Sequence, residues 1–158
     1  MNKTLVAYFS ATNTTARAAT ALANAANADL FEIEPAEPYT SADLNWNDRT
    51  SRSTREMNDE HCRPSVATRV NNMDAYSTVY VGFPVWWYVE PRIIDTFLES
   101  YDFSGKTIIP FATSGGSGLG KTTQRMAELC PRATIKTGGL LNDCSPAALK
   151  RFIAANAV

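Results

Sequence analysis

Short apolar runs alternate along this chain with segments of helical periodicity, and this alternation limits the available folds more than any other feature. The run Leu5–Phe9 is typical of a buried strand, and from about Thr14 small apolar residues and Leu22 recur at helical spacing. Ser145 and Pro146 are typical of the cap and first position of a final helix. The predicted strands lie at 5–9, 30–34, 78–83, 107–111 and 133–141, and the other predicted helices begin near residue 14, at residue 91 and near residue 121.

Strands that alternate with helices predict an α/β fold, a three-layer sandwich in which helices cover both faces of a parallel sheet. Parallel neighbours need crossover connections, and helices supply them with a right-handed geometry. The chain has 158 residues, of which 44% are hydrophobic and 20% charged, which suits one domain over 1–158. Such sheets bind ligands at the carboxyl ends of their strands, so the loops after strands one, three and four should converge.

The segment from Pro35 to Met73 departs from this plan. It is polar and shows no clear strand, so we expect a partly helical excursion from the sheet. Its five arginines alternate with acidic residues such as Glu56 and Glu60, a pattern that predicts a solvated face of mixed charge. The single histidine, His61, lies in the same segment and is expected at the surface.

The overall charge and the cysteine pattern exclude several classes of function. A net charge of −1 gives no basic surface for a nucleic acid. No stretch reaches the roughly 20 apolar residues of a membrane span, and no signal-peptide pattern opens the chain, so we expect a cytoplasmic protein without a membrane partner. Cys62, Cys130 and Cys144 have no metal-binding spacing, which predicts buried free thiols and no metal site.

The loop after the first predicted strand is rich in hydroxyl and amide side chains and opens directly into a helix. Unpaired N–H groups and the helix dipole favour an anion at such a position, and the side chains add hydrogen-bond donors. This pattern predicts a site for a monoester phosphate, although Ser and Thr could also serve as helix caps alone. The predicted phosphate-binding residues are Ser10, Thr12, Asn13, Thr14 and Thr15.

The loop after the third predicted strand carries consecutive large aromatic residues between two prolines. Rings on a stiff loop at a ligand-binding edge can stack on a flat heterocycle, and prolines supply the stiffness. The alternative is that a ring packs beneath neighbouring loops or at a subunit contact. The candidate residues are Pro84, Val85, Trp86, Trp87 and Tyr88.

The loop after the fourth predicted strand is glycine-rich, which lets its backbone N–H groups approach a ligand closely. Its candidate residues are Thr113, Ser114, Gly115, Gly116, Ser117 and Gly118. Gly115 to Thr122 also matches the phosphate-loop pattern of nucleotide triphosphatases. That interpretation is disfavoured because no following strand supplies a magnesium-binding Asp, and because it leaves the other two loops without a role.

The three loops together predict a ligand with a terminal phosphate, a flat ring that can be stacked, and a ring edge that accepts hydrogen bonds. Flavin mononucleotide, FMN, fits this description better than a dinucleotide, because the G-x-G-x-x-G fingerprint of dinucleotide-binding proteins is absent. The sequence resembles the flavodoxin family in its bacterial branch with a long second connection. The resemblance covers nearly the whole chain. Its motifs are Tyr8–Ser10 with Thr12 and Thr15, Gly82–Trp87, and Phe111–Gly118.

This resemblance implies a five-stranded sheet in the order 2-1-3-4-5, noncovalent FMN, and low-potential electron transfer to redox partner proteins, by a monomer or weak dimer. No side chain is then expected to act as a nucleophile or general base, since the flavin carries the chemistry. Two other functions stay open at this stage. One is an FMN-dependent oxidoreductase that passes hydride from NAD(P)H to a quinone-type acceptor, and the other is an interaction module without flavin.

Overall fold

A parallel sheet forms the centre of the molecule in the computed structural model, which describes residues 3–45, 47–86, 89–113 and 118–157. The strand order is β2-β1-β3-β4-β5, and β6 also pairs with β4. Every pairing between these described strands is parallel, and the order in which they are neighbours is the predicted one. The strands are β1 (Lys3–Tyr8), β2 (Asp29–Glu32), β3 (Tyr76–Pro84), β4 (Thr107–Thr113), β5 (Thr134–Ile135) and β6 (Gly139–Leu140).

Helices pack on both faces of this sheet and complete the predicted three layers. The first and last helices contact each other on one face, and the third and fourth contact each other on the other. Ser145 accepts a hydrogen bond from the N–H of Ala148 at the start of the last helix, as its predicted cap. The helices are α1 (Thr14–Ala26), α2 (Arg52–Asn58), α3 (Arg92–Glu99), α4 (Thr122–Leu129) and α5 (Pro146–Ala155), with a short 3-10 helix at Met73–Ala75.

Burial is greatest in the middle of the sheet. Every residue of β4 is buried, whereas β2 has exposed residues on the sheet edge. A continuous apolar run such as Ile108–Phe111 in β4 suits a strand that is covered on both faces of a parallel sheet. The carboxyl ends of β1, β3 and β4 therefore extend from the most buried part of the sheet.

The last predicted strand is divided because of its glycines. Gly138 has φ +65°, and a Cβ atom there would lie 1.8 Å from the carbonyl oxygen of Pro110. The chain therefore turns away between β5 and β6, while the N–H groups of Lys136 and Leu141 still donate to β4 carbonyls at 2.9 and 2.8 Å. The interruption predicted over 133–141 is confirmed, with close backbone approach as its reason.

The excursion at 35–73 is partly helical, as predicted, but its charged residues are not all solvated. The side chains of Arg52 and Glu56 in α2 are only 14% and 10% exposed and form an ion pair at 2.9 Å. The expectation of a solvated face is wrong for them because the sequence spacing does not show which side of a short helix packs inward. Glu60 and His61 are exposed, as expected.

The cysteines agree only in part with the sequence prediction. Cys130 is a buried free thiol, whereas Cys62 and Cys144 are free but partly exposed. Burial in these two was overestimated because their neighbours, such as Glu60 and Asp143, keep the local chain at the surface. In the part of the chain that the structure describes, no helix is long and apolar enough to cross a membrane, and no cluster of His, Cys, Asp and Glu could hold a metal.

Candidate functional site

Three loops meet at the carboxyl ends of β1, β3 and β4. The N–H of Phe9 donates to the carbonyl of Gly82 at 2.9 Å, which joins the first loop to β3. The N–H of Val85 donates to the carbonyl of Thr113 at 3.0 Å, which joins the second loop to β4. The hydroxyls of Thr15 and Thr113 are hydrogen bonded at 2.8 Å, which joins the first loop to the third. The described ends of the three loops therefore lie together at this edge, as predicted.

The first loop ends where α1 begins, and the side chain of Asn13 does not cap this helix. Asn13 has φ +68° and makes no side-chain cap, while the hydroxyl of Ser10 accepts from the N–H of Ala16 at 3.2 Å. Thr12, Asn13 and Thr14 are exposed. The positive end of the α1 dipole thus lies beside exposed hydroxyl and amide groups, an arrangement that suits an anion.

Thr15 differs from its neighbours because it is buried. Only 1% of the residue is exposed, and its hydroxyl contacts Thr113, which is 4% exposed. A shallow groove that begins at Thr12 and Asn13 follows the exposed side of α1 past Arg17. Thr12 therefore faces open space, while Thr15 holds two loops together.

The second loop is closed by a pair of backbone hydrogen bonds. The N–H of Trp86 donates to Val89 at 3.1 Å, and that of Val89 donates to Trp86 at 3.2 Å. The partly buried Trp86 ring lies edge-on to Phe9 and Tyr39, with centroids 5.8 and 5.5 Å away. Its contacts favour packing beneath a neighbouring segment for this ring, while stacking on a ligand stays a prediction. Trp87 and Tyr88 lie outside the described residues.

The third loop is described at its two ends. Thr113 ends β4, and Gly118 is exposed on the far side. Thr122, the first residue of α4, is completely buried, and among the described residues its hydroxyl has no partner. A phosphate-loop threonine must reach a magnesium ion, so this burial disfavours that interpretation further. Ser114, Gly115, Gly116 and Ser117 lie outside the described residues.

Tyr39, from the excursion, forms one wall of this edge and was not identified from the sequence. Its hydroxyl donates to Glu56, and the guanidinium of Arg52 lies 3.8 Å from the centre of its ring. Burial, followed by the hydrogen bond to Glu56, raises the pKa of Tyr39, which keeps it a neutral donor. The excursion therefore contributes to the site through an aromatic contact with Trp86.

A buried ionic group lies directly behind the second loop. Arg125 donates from Nε to Oε1 of Glu90 at 2.6 Å and from Nη2 to Oδ2 of Asp95 at 2.7 Å. Both acidic side chains are fully buried. Burial and the neighbouring Asp95 raise the pKa of Glu90 to about 8 and outweigh the opposing effect of Arg125.

Sequence reasoning missed these residues because their partners are distant in the chain. Glu90 has one local signal, a charged residue between the apolar Val89 and Pro91. Arg125 lies 35 residues after Glu90 on a polar helix, and Tyr39 lies 17 residues before Glu56. Neither spacing belongs to a recognisable motif, so only the three-dimensional packing brings these groups together.

Comparisons with known proteins agree with this fold. A family model described as Flavodoxin matches residues 3–156. A candidate flavoprotein from Bacteroides eggerthii is 47% identical, with a TM-score of 0.95 over 100% of this chain and 99% of that chain. One from Bacteroides uniformis is 48% identical, with a TM-score of 0.93 over 97% of this chain and 98% of that chain.

A more distant structure shares the fold. A flavoprotein from Lactobacillus acidophilus, solved in complex with FMN, is 18% identical, with a TM-score of 0.74 over 96% of this chain and 99% of that chain. No curated protein sequence matches this chain.

Proposed function

This chain belongs to the flavodoxin family, and on that premise we propose that it binds FMN and carries electrons at low potential between partner proteins. The observation that carries the proposal is the meeting of three loops, through Thr15, Thr113 and Val85, at the carboxyl edge of the sheet. A ligand at this edge can contact all three loops at once. The fold of the Lactobacillus acidophilus flavoprotein, which was solved with FMN, supports the choice of cofactor.

The first loop fits the phosphate end of FMN. The exposed groups of Thr12, Asn13 and Thr14 surround the start of α1, where Asn13 makes no side-chain cap and Ser10 accepts from the N–H of Ala16. Hydrogen bonds to a charged acceptor contribute about 1.5 to 3 kcal/mol each. These residues would hold the phosphate, with Ser10 and Thr15 fixing the loop around it.

The second and third loops fit the ring end. Trp86 brings a large aromatic side chain to the edge, and the backbone bond from Val85 to Thr113 keeps the two loops adjacent. When bound, FMN supplies reversible electron transfer. The residues of this chain would bind and orient the ring and exclude water from it. An aromatic ring such as that of Trp86 against the flavin would disfavour added negative charge on the ring system and so lower the potential.

General chemistry indicates what kind of partner this chain would bind. A net charge of −1 gives the chain no strong field with which to attract a partner of one sign. We therefore propose redox partner proteins that dock through shape and local contacts, with the chain acting as a monomer or weak dimer in the cytoplasm.

Titration with FMN and riboflavin, followed by anaerobic reduction, tests this function. We expect the protein to quench the fluorescence of FMN at stoichiometric concentration and to bind riboflavin more weakly. The loaded protein should be bleached by dithionite and only slowly by NADH or NADPH. Rapid bleaching by either nucleotide would identify an oxidoreductase instead, and failure to take up FMN would indicate an interaction module.

A further inference from the structure

Arg125 joins two structural elements that flank the candidate site. Its guanidinium bonds to Glu90, the residue that ends the second loop, and to Asp95, in the first turn of α3. Arg125 itself lies on α4, the helix that follows the third loop. A planar guanidinium can satisfy two carboxylates in a fixed geometry, which a lysine ammonium cannot reproduce.

We propose that Arg125 is a positioning residue for the cofactor: by holding Glu90, it fixes the described end of the second loop, and with it Trp86, relative to α4. This inference rests on the proposed function, because the positioned loops are those expected to hold the flavin ring. Arg125 acts through Glu90 and needs no contact with the cofactor.

The backbone provides a short path from Glu90 to Trp86. Glu90 directly follows Val89, and Val89 exchanges two backbone hydrogen bonds with Trp86. On the other side, the N–H of Val85 is held by Thr113. The segment that carries Trp86 is therefore anchored at one end to β4 and at the other end, through Glu90, to α4.

Other cations near this group do not take over the contact with Glu90. Arg63 and Arg92 each approach Asp95 at 3.8 Å, and Arg92 donates at 2.9 Å to the carbonyl of Met57. Among the residues that the structure describes, Arg125 is the cation that hydrogen bonds to Glu90. The Glu90 end of the second loop is thus held by one cation of the described chain, whereas Asp95 has several positive neighbours.

Net stabilisation of the fold is a weak explanation for this group. Oε2 of Glu90 and Oδ1 of Asp95 are buried and have no hydrogen-bond partner within the described part of the chain. Incompletely satisfied buried ion pairs often stabilise less than apolar side chains of the same volume. A role in fixing geometry accounts for two fully buried acidic side chains at the point where the second loop joins α3.

The test compares Arg125→Lys and Arg125→Gln with Arg63→Gln as a matched control. Arg63→Gln removes one positive charge from the same cluster but leaves the bond between Arg125 and Glu90 in place. Each full-length apoprotein is titrated with FMN and with riboflavin, and the affinity and the extent of fluorescence quenching at saturation are recorded. Thermal unfolding of each apoprotein is measured separately, and Arg125→Lys serves if Arg125→Gln does not fold.

We expect Arg125→Lys to weaken FMN and riboflavin equally, by about tenfold, because one charged hydrogen bond that orients the ring side is lost. Quenching at saturation should also be less complete, while Arg63→Gln matches the unmodified protein in both. Unchanged affinity and quenching in Arg125→Lys, whatever its unfolding temperature, would overturn the inference. A loss confined to FMN would also overturn it, because it would place the effect at the phosphate. Failure of the unmodified chain to bind FMN would overturn the proposed function as well.

Discussion

At Thr12, an exposed hydroxyl lies beside the start of α1 and at the beginning of the groove along this helix. We expect Thr12→Val to weaken FMN about tenfold, since a hydrogen bond to a charged phosphate is worth about 1.5 to 3 kcal/mol. Riboflavin, which lacks the phosphate, should bind as before. Thr20→Val is the matched control, because Thr20 lines the same groove but bonds to the carbonyl of Ala16. Equal losses for both flavins in Thr12→Val would place the phosphate elsewhere.

Gly138 and Gly105 offer a paired test of backbone strain. Both have positive φ, +65° and +76°, but a Cβ at Gly138 would collide with Pro110, whereas Gly105 has no atom within 4 Å. Gly105→Ala should lower the free energy of unfolding by about 1 to 2 kcal/mol from backbone strain alone. Gly138→Ala should lower it by clearly more, because β6 must also move away from β4. Urea denaturation measures the free energy of unfolding of both variants. Similar losses would show that β6 can move away from β4 at little cost in free energy.

The contrast between Thr12 and Thr15 shows what a motif can and cannot predict. Both belong to one hydroxyl-rich loop, and the sequence assigns them the same role. The structure gives Thr15 a partner, Thr113, that lies 98 residues away in the chain. The burial of one hydroxyl and the exposure of another three residues earlier depend on that contact, and no local spacing encodes it.

At the scale of elements, the excursion is expected to matter through the ring of Tyr39. Tyr39→Leu removes the edge contacts with Trp86 and Phe9, so we expect weaker binding of both FMN and riboflavin. Aromatic pairs contribute about 0.5 to 1.5 kcal/mol beyond their buried area, which corresponds to a loss of about threefold to tenfold. Tyr39→Phe keeps the ring and should lose less. Fluorescence titration measures the difference, and equal effects of the two changes would contradict a role for the ring.

The elements that the sequence predicts well are those whose pattern is local. In the apolar run of β4 and the helical spacing of α1, the residue pattern itself indicates which side chains are buried. The sequence therefore locates both elements to within a few residues. The excursion was harder to interpret because α2 buries Glu56 beneath Tyr39, a residue outside the helix. The excursion has the mixed-charge composition of a solvated surface. Only the packing distinguishes the buried pair of Arg52 and Glu56 from the exposed pair of Glu60 and His61.

For the whole molecule, Glu90 predicts a dependence of stability on pH. Burial raises its pKa from 4.5 to about 8, so the folded chain binds this proton more tightly than the unfolded chain does. The stabilisation is complete below the unfolded pKa and is lost as the pH rises through the folded pKa. The free energy of unfolding should therefore decrease between about pH 5 and about pH 8 and then level off.

Chemical denaturation across this range, with Glu90→Gln beside the unmodified protein, measures the contribution of Glu90. Glutamine resembles the protonated acid and does not titrate, so this variant should lack that part of the decrease. Glu60→Gln is the control, because Glu60 is 66% exposed and lies 4.0 Å from the same Arg125. If Glu90→Gln retains the full decrease, another group is responsible.

The bond between Thr15 and Thr113 also determines when, during synthesis, the binding edge can exist. The first loop is made early, but β1 lies between β2 and β3, and β3 begins only at Tyr76. A nascent chain that ends before β4 can build α1 yet has no partner for Thr15, and contacts that span so much sequence form slowly. Cofactor capture must therefore follow the emergence and docking of β4, so the flavin joins a chain that has already folded most of its sheet.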